Sequence, residues 1–214
     1  EGVEIEGVVG QILLHPNHVE ATLEIAVKNG VLIKAFDSLF CQSRALYRSG
    51  QSYRFSLSAL AYSMNPPGHI EKTIDDPDDI RHYHATQAWA EKYGQYAKED
   101  EAQALAAWQP QTPEDLEPIR IEIDSGTVFI PSGNGFSDDA LYLGEVVCVT
   151  ADAARVLDTS FWRVDVVVVR SEELETLIIP IYVSENLLEG DWRPSVGEHV
   201  TGNVWLQAYA IASR

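Results

Sequence analysis

The chain has 214 residues, 45% of them apolar, with a formal charge of −18. That length fits one large or two small domains, and that charge disfavours nucleic acid as a general partner, because affinity for phosphates comes mainly from counterions released by Lys and Arg. Cys41 and Cys148 are the only cysteines, too few for a disulfide framework and without C-x-x-C spacing, so both are expected as buried free thiols.

Taken from the N-terminus, residues 5–14 (IEGVVGQILL) read as a strand, with Gly7 and Gly10 where a barrel strand bends or bulges. His15-Pro16-Asn17-His18 ends it as a turn. Residues 21–28 alternate Leu23, Ile25 and Val27 with more polar positions, and Asn29-Gly30 supplies the two φ > 0 residues of a type I′ hairpin. Residues 31–36 return as a third strand and residues 37–48 form a short helix or irregular crossover. From Gly50 a long period-two strand runs to Ser63, with Tyr53, Phe55, Leu57, Ala59 and Ala61 on its buried face.

The next stretch is different in kind. Residues 1–65 carry 6 acids and 5 bases, residues 66–118 carry 12 and 4, and residues 119–214 carry 15 and 6. Asp76-Pro77-Asp78-Asp79 is a helix start: Asp76 accepts from free N–H groups, Pro77 suits the first helical position, and further acids favour the positive end of the dipole. Ala85, Trp89, Tyr93 and Tyr96 then share one helical face, and Thr112-Pro113-Glu114-Asp115 is a second, short start. Residues 66–118 therefore read as an acidic helical connector.

Residues 119–123 and 127–130 look like strands, followed by a glycine-rich loop, Pro131-Ser132-Gly133-Asn134-Gly135, and two carboxylates, Asp138 and Asp139. Residues 141–150 begin a second unit, with Gly144-Glu145-Val146 set like Gly10-Gln11-Ile12. A loop containing Asp152 and Asp158 leads to a strand pair at residues 161–170 and 175–183. After a crossover at residues 184–191, Gly197 opens a strand that repeats the one from Gly50: Val200, Gly202, Val204, Leu206 and Ala208 stand where Tyr53, Phe55, Leu57, Ala59 and Ala61 stood. The expected organisation is residues 1–65, 66–118 and 119–214, a mainly β chain with an α-helical insert and two similar β-units.

A strand with a central glycine, a hairpin, a short crossover and a further long strand resembles the OB-fold, over residues 5–63 and 141–211. That resemblance implies two small OB-like β-barrel units, and it implies a fifth strand that neither half supplies directly, for which residues 119–123 and 127–130 are available. It also implies a binding face across strands two and three. In the first unit Lys34, Arg54 and Phe36 border that face, cations and a ring of the kind that a single-strand nucleic-acid or oligosaccharide groove uses. Against this, alternation turns Tyr53 and Phe55 into the core.

No catalytic arrangement stands out. His82 and His84, two apart on a helix, point about 200° from one another and cannot share an ion, and His15 with His18 lacks a third ligand. A metal-dependent hydrolase around the His15 turn or the Gly133 loop is thus a minor reading, and no cofactor or metal is called for. The leading expectation is a non-enzymatic binding or scaffold module taking a protein partner with a basic or apolar surface. Its anchors are Trp192 and Trp205, with Trp205 at the outward position that Ser58 holds in the first copy, and its acidic patch is Asp75, Asp76, Asp78 and Asp79. No apolar run reaches membrane-spanning length and no signal-peptide pattern opens the chain, which points to a cytoplasmic protein. Oligomeric state is left open.

Overall fold

The structure, a computed structural model, describes residues 2–27, 31–67, 70–93, 103, 106–110, 112–123, 126–131, 138–170 and 176–211. The Asn29-Gly30 turn, Tyr96 and the Gly133 loop lie outside the described residues, as do the side chains of Trp89 and Tyr93. The chain forms two compact bodies, one from residues 1–68 and 126–214 and the other from residues 69–125.

In the larger body, β1 (Val3–Leu14), β2 (Ala21–Val27) and β3 (Leu32–Asp37) follow in antiparallel order. A four-residue helix, α1 (Phe40–Ser43), leads to β4 (Ser52–Ala61). In the smaller body, β5 (Ile70–Ile74) pairs antiparallel with β6 (Ile119–Ile123), and α2 (Pro77–Tyr93) lies between them in sequence. The larger body resumes with β7 (Val128–Pro131), β8 (Asp139–Val156), β9 (Thr159–Val169), β10 (Leu177–Ser184) and β11 (His199–Ala210). Alternation decides which faces are buried. Leu23, Ile25, Phe55 and Leu57 in one unit, and Val164, Val166, Ile179 and Ile181 in the other, are essentially inaccessible. Each contributes about 2 kcal/mol on burial.

The strands close on themselves by exchange. β1, β2, β3, β11 and β4 form one circuit, closed by β1 on β4, and β8, β9, β10, β4 and β11 form the other, closed by β11 on β8. Each is a closed five-stranded circuit whose fifth strand is the far end of the other unit's fourth. The end of β11 lies parallel to β3 at Gln207–Phe36, and the end of β4 lies parallel to β10 at Ile181–Ala59 and Tyr182–Leu60. β4 and β11 themselves pair antiparallel with Ala59 opposite Leu206, the same position of the repeated sequence in both copies. This corrects the expectation that residues 119–123 or 127–130 close a barrel: β6 pairs with β5, and β7 adds to the outer side of β8.

Equivalent contacts recur at the starts of the long strands. Gly50, at φ +80°, donates to Val9 O at 2.8 Å, and Gly197, at φ +89°, donates to Val146 O at 2.8 Å. The return bonds run from Val9 N to Gln51 O and from Val146 N to Glu198 O. The first-unit equivalent of Gly144-Glu145-Val146 is therefore Gly7-Val8-Val9, three residues before the match expected from sequence. Both glycines sit at close crossings: a Cβ on Gly7 would lie 2.4 Å from Ile25 Cγ2, and one on Gly144 would lie 2.0 Å from the Val167 carbonyl oxygen.

Two further expectations are corrected. Cys41 and Cys148 are exposed, because α1 turns Cys41 outward and a bulge between Val146 and Cys148 shifts the alternation of β8. Asp152 and Asp158 belong to one β8–β9 hairpin that turns at Leu157-Asp158 and has a second bulge between Thr150 and Ala154, not to an open loop.

Candidate functional site

The first-unit crossover is held from inside. Asp37, fully buried, accepts from Leu39 N at 2.8 Å, Ser43 Oγ at 3.0 Å and Tyr47 Oη at 2.7 Å, and Tyr47 Oη accepts from Ala210 N at 3.0 Å. Burial, then the bond to Asp37, raises the Tyr47 phenol well above its usual value, so it remains a neutral donor. These bonds tie the borrowed end of β11 to the barrel that receives it.

Above that end, an aromatic group covers the outer face. The Trp205 ring packs on Phe36 with centroids 5.0 Å apart, and His15 meets Phe36 edge-on at 5.6 Å. His15 Nε2 lies 3.0 Å from Thr22 Oγ1, and Thr22 is the cross-strand neighbour of Phe36. Phe36 is thereby 9% exposed although its backbone position faces outward, while Trp205 is half-buried.

The indole is fixed by a carboxylate. Trp205 Nε1 donates to Asp138 Oδ2 at 2.7 Å, and Asp138 is 2% exposed. Asp138 Oδ1 is buried with no hydrogen-bond partner, an arrangement that costs about 1–3 kcal/mol for such a group. On the next residue, Asp139 Oδ1 accepts from Tyr62 Oη at 3.0 Å. Burial first, then that bond and the charges of Asp139 and Asp138, pushes the Tyr62 phenol up to about 12. Tyr62 is itself 52% exposed. Trp205, Tyr62, Asp138 and Asp139 thus meet where β11 leaves β8, with Trp205 registered against Asp139.

The remaining anticipated residues lie apart from this group. Trp192 packs against the hydrophobic core behind the short 3₁₀ turn Glu185–Leu187, and the neighbouring Arg193 guanidinium stands 5.8 Å over the Trp162 ring and bonds Glu185. Lys34 is half-buried on β3 opposite Glu24, and Arg54 pairs with Glu4 at 3.4 Å. Asp75, Asp76, Asp78 and Asp79 are exposed in the smaller body. There Asp76 caps α2, its Oδ1 accepting from Asp78 N and Asp79 N, and Asp78 faces Arg81 at 4.0 Å. An open groove of about 740 Å³ in that body is lined by Asp78, Asp79, Arg81, His82, Trp108 and Gln109 among others, with His84 stacked on Trp108 at 5.5 Å. Among the described residues no three His, Cys, Asp or Glu side chains are placed to hold a metal ion. None of the described helices is long and apolar enough to cross a membrane.

Sequence reasoning singled out Trp205 and Phe36 but assigned them to different readings. It passed over Asp138 and Tyr62 as members of one group, since each lies 67 or more residues from its partner, and it read His15, whose partners Thr22 and Phe36 are near in sequence, only as part of a turn. The one available signal was the pair of carboxylates closing the Gly133 stretch.

The fold and this site define a closed, mainly β-barrel protein with a preorganised aromatic and acidic outer patch. No family model matches the chain, and no curated protein does. Among solved structures, a similar one is the cytoplasmic molybdate-binding protein ModG in a molybdate-bound form. It is 12% identical over 96% of this chain and 94% of that one, with a TM-score of 0.34. A likeness at this level assigns neither a family nor a ligand.

Proposed function

We propose that this is a non-enzymatic binding module that takes a basic segment of a protein partner at the Trp205 patch. The carrying observation is the Trp205 indole held between Phe36 and the buried Asp138, with Tyr62 and Asp139 beside it. A partly exposed tryptophan fixed in one orientation loses little entropy on binding, and indole and phenol faces attract cations. The adjacent carboxylates and the charge of −18 add steering toward a basic surface. The first-unit nucleic-acid reading draws less support, because Phe36 is covered and Arg54 is paired with Glu4.

Tryptophan fluorescence titrated with oligolysine and oligoarginine peptides, with oligoglutamate as control, tests the reading. Saturable, salt-weakened binding of the basic peptides is expected, with affinity lowered at least about tenfold in Trp205→Leu, a loss of about 1.4 kcal/mol. Absence of binding, or equal binding by Trp205→Leu, overturns it.

A further inference from the structure

Resting on that reading, we infer that the group recognised is a lysine ammonium and that Asp138 is the residue that selects it. The argument is one of hydrogen-bond capacity. A carboxylate that receives a guanidinium bidentately offers both oxygens to two parallel N–H groups. At Asp138 a guanidinium would have to share Oδ2 with the Trp205 indole N–H, which already bonds it at 2.7 Å. At Asp139 it would have to share Oδ1 with Tyr62 Oη, which donates to that oxygen at 3.0 Å. Each of two consecutive carboxylates therefore keeps one oxygen for an incoming donor, and at Asp138 that oxygen is buried and unpartnered. An ammonium is a compact point charge with three rotatable donors, which suits single oxygens on separate carboxylates better than a rigid planar fork does.

The same geometry explains why Trp205 is tied down. With its N–H committed to Asp138, the indole holds the carboxylate in place and offers its face, not its donor, to the ligand's aliphatic stem and charge. Arrival of the ammonium at Oδ1 changes the acceptor strength felt by the indole N–H, so binding has a signature at Trp205 itself. Entry requires the side chains around Oδ1 to open, because that atom is closed to solvent.

The test compares a lysine-rich peptide with its Nε-acetylated and arginine counterparts on the full chain. The wild-type protein is expected to bind the lysine form at least tenfold more tightly than either. Asp138→Asn keeps an oxygen for the Trp205 N–H but places an amide donor where the unbonded acceptor was, and is expected to erase that preference. Asp158→Asn, the same charge change at the β8–β9 turn, is expected to leave it intact. Should Asp138→Asn fail to fold, the wild-type Trp205 indole ¹H–¹⁵N resonance decides: it is expected to move as the lysine peptide binds, and a static resonance under saturating peptide overturns the inference. Arginine binding as tightly as lysine, or a preference retained in Asp138→Asn, overturns the inference while leaving the binding-module reading in place if Trp205→Leu still weakens the complex. No binding by any basic peptide overturns both.

Discussion

At the position that Trp205 holds in one copy of the long strand, the other copy has Ser58, and the register of the exchanged ends places Tyr182 where the first barrel has Phe36. Beside Tyr182 stands Arg163, equivalent to Thr22, locked to Asp165 at 2.7 Å by a bond that holds the guanidinium above its already high ordinary value. One outer face is aromatic above a buried carboxylate oxygen with no bond, and the other carries an ion pair. The interiors beneath them keep the same bonds from Gly50 and Gly197 and from the paired first strands. Even the arginines after the crossover aromatics agree: Arg48 Nη1 donates to the carbonyls of Ala45 and Tyr47, and Arg193 Nη1 to those of Gly190 and Trp192. Inner positions are bound by shared register and packing, while outer ones are free to take up different chemistry.

The largest disturbance to that comparison is to remove what one barrel lends the other. Ending the chain after Leu206 deletes the segment that pairs with Phe36 and with residues 55–58. Cooperative thermal unfolding, followed by circular dichroism, is expected to be lost. A truncated chain that melts like the full one would show that the first barrel closes without the borrowed strand.

A finer contrast separates the two crossing glycines. Gly144→Ala drives a methyl to 2.0 Å from a backbone oxygen and is expected to cost about 3 kcal/mol, whereas Gly7→Ala meets the γ2 methyl of the buried Ile25 at 2.4 Å and is expected to cost about 2 kcal/mol. Urea denaturation midpoints for the two variants give the order, and equal losses would contradict it.

The smallest expected effect is a titration. A phenol whose folded value is raised stabilises the fold fully below its unfolded value near 10, and that contribution is lost as pH rises through about 12. Because Tyr62 is half open to solvent, the gain in stability is small. The difference in ultraviolet absorbance between the wild-type protein and Tyr62→Phe is expected to show a phenolate step near 12, moving toward 10 in Asp139→Asn. A wild-type step already near 10 would detach Tyr62 from the acidic pair.

Much of the architecture was legible in local pattern. The alternation at Leu23, Ile25 and Val27, the capping sequence at Asp76, and the parallel between Gly50 and Gly197 each depend on neighbours within a few residues, and each has a matching element or contact here. The alignment of the first strands slipped by three residues because Gly7 and Gly10 both look like bend points, and only the crossing with Ile25 and the bond from Gly50 distinguish them.

Composition and periodicity by themselves determined a mainly β chain with an acidic insert and two similar units, because period-two burial is a local property of an extended backbone. Which strand completes each barrel was decided only by tertiary structure. The ends of β4 and β11 carry the same alternation whether they close their own unit or the other, and the choice rests on pairing partners distant in sequence. The patch was decided the same way: exchange of those ends carries Trp205 onto Phe36 and brings Asp138 beneath its indole.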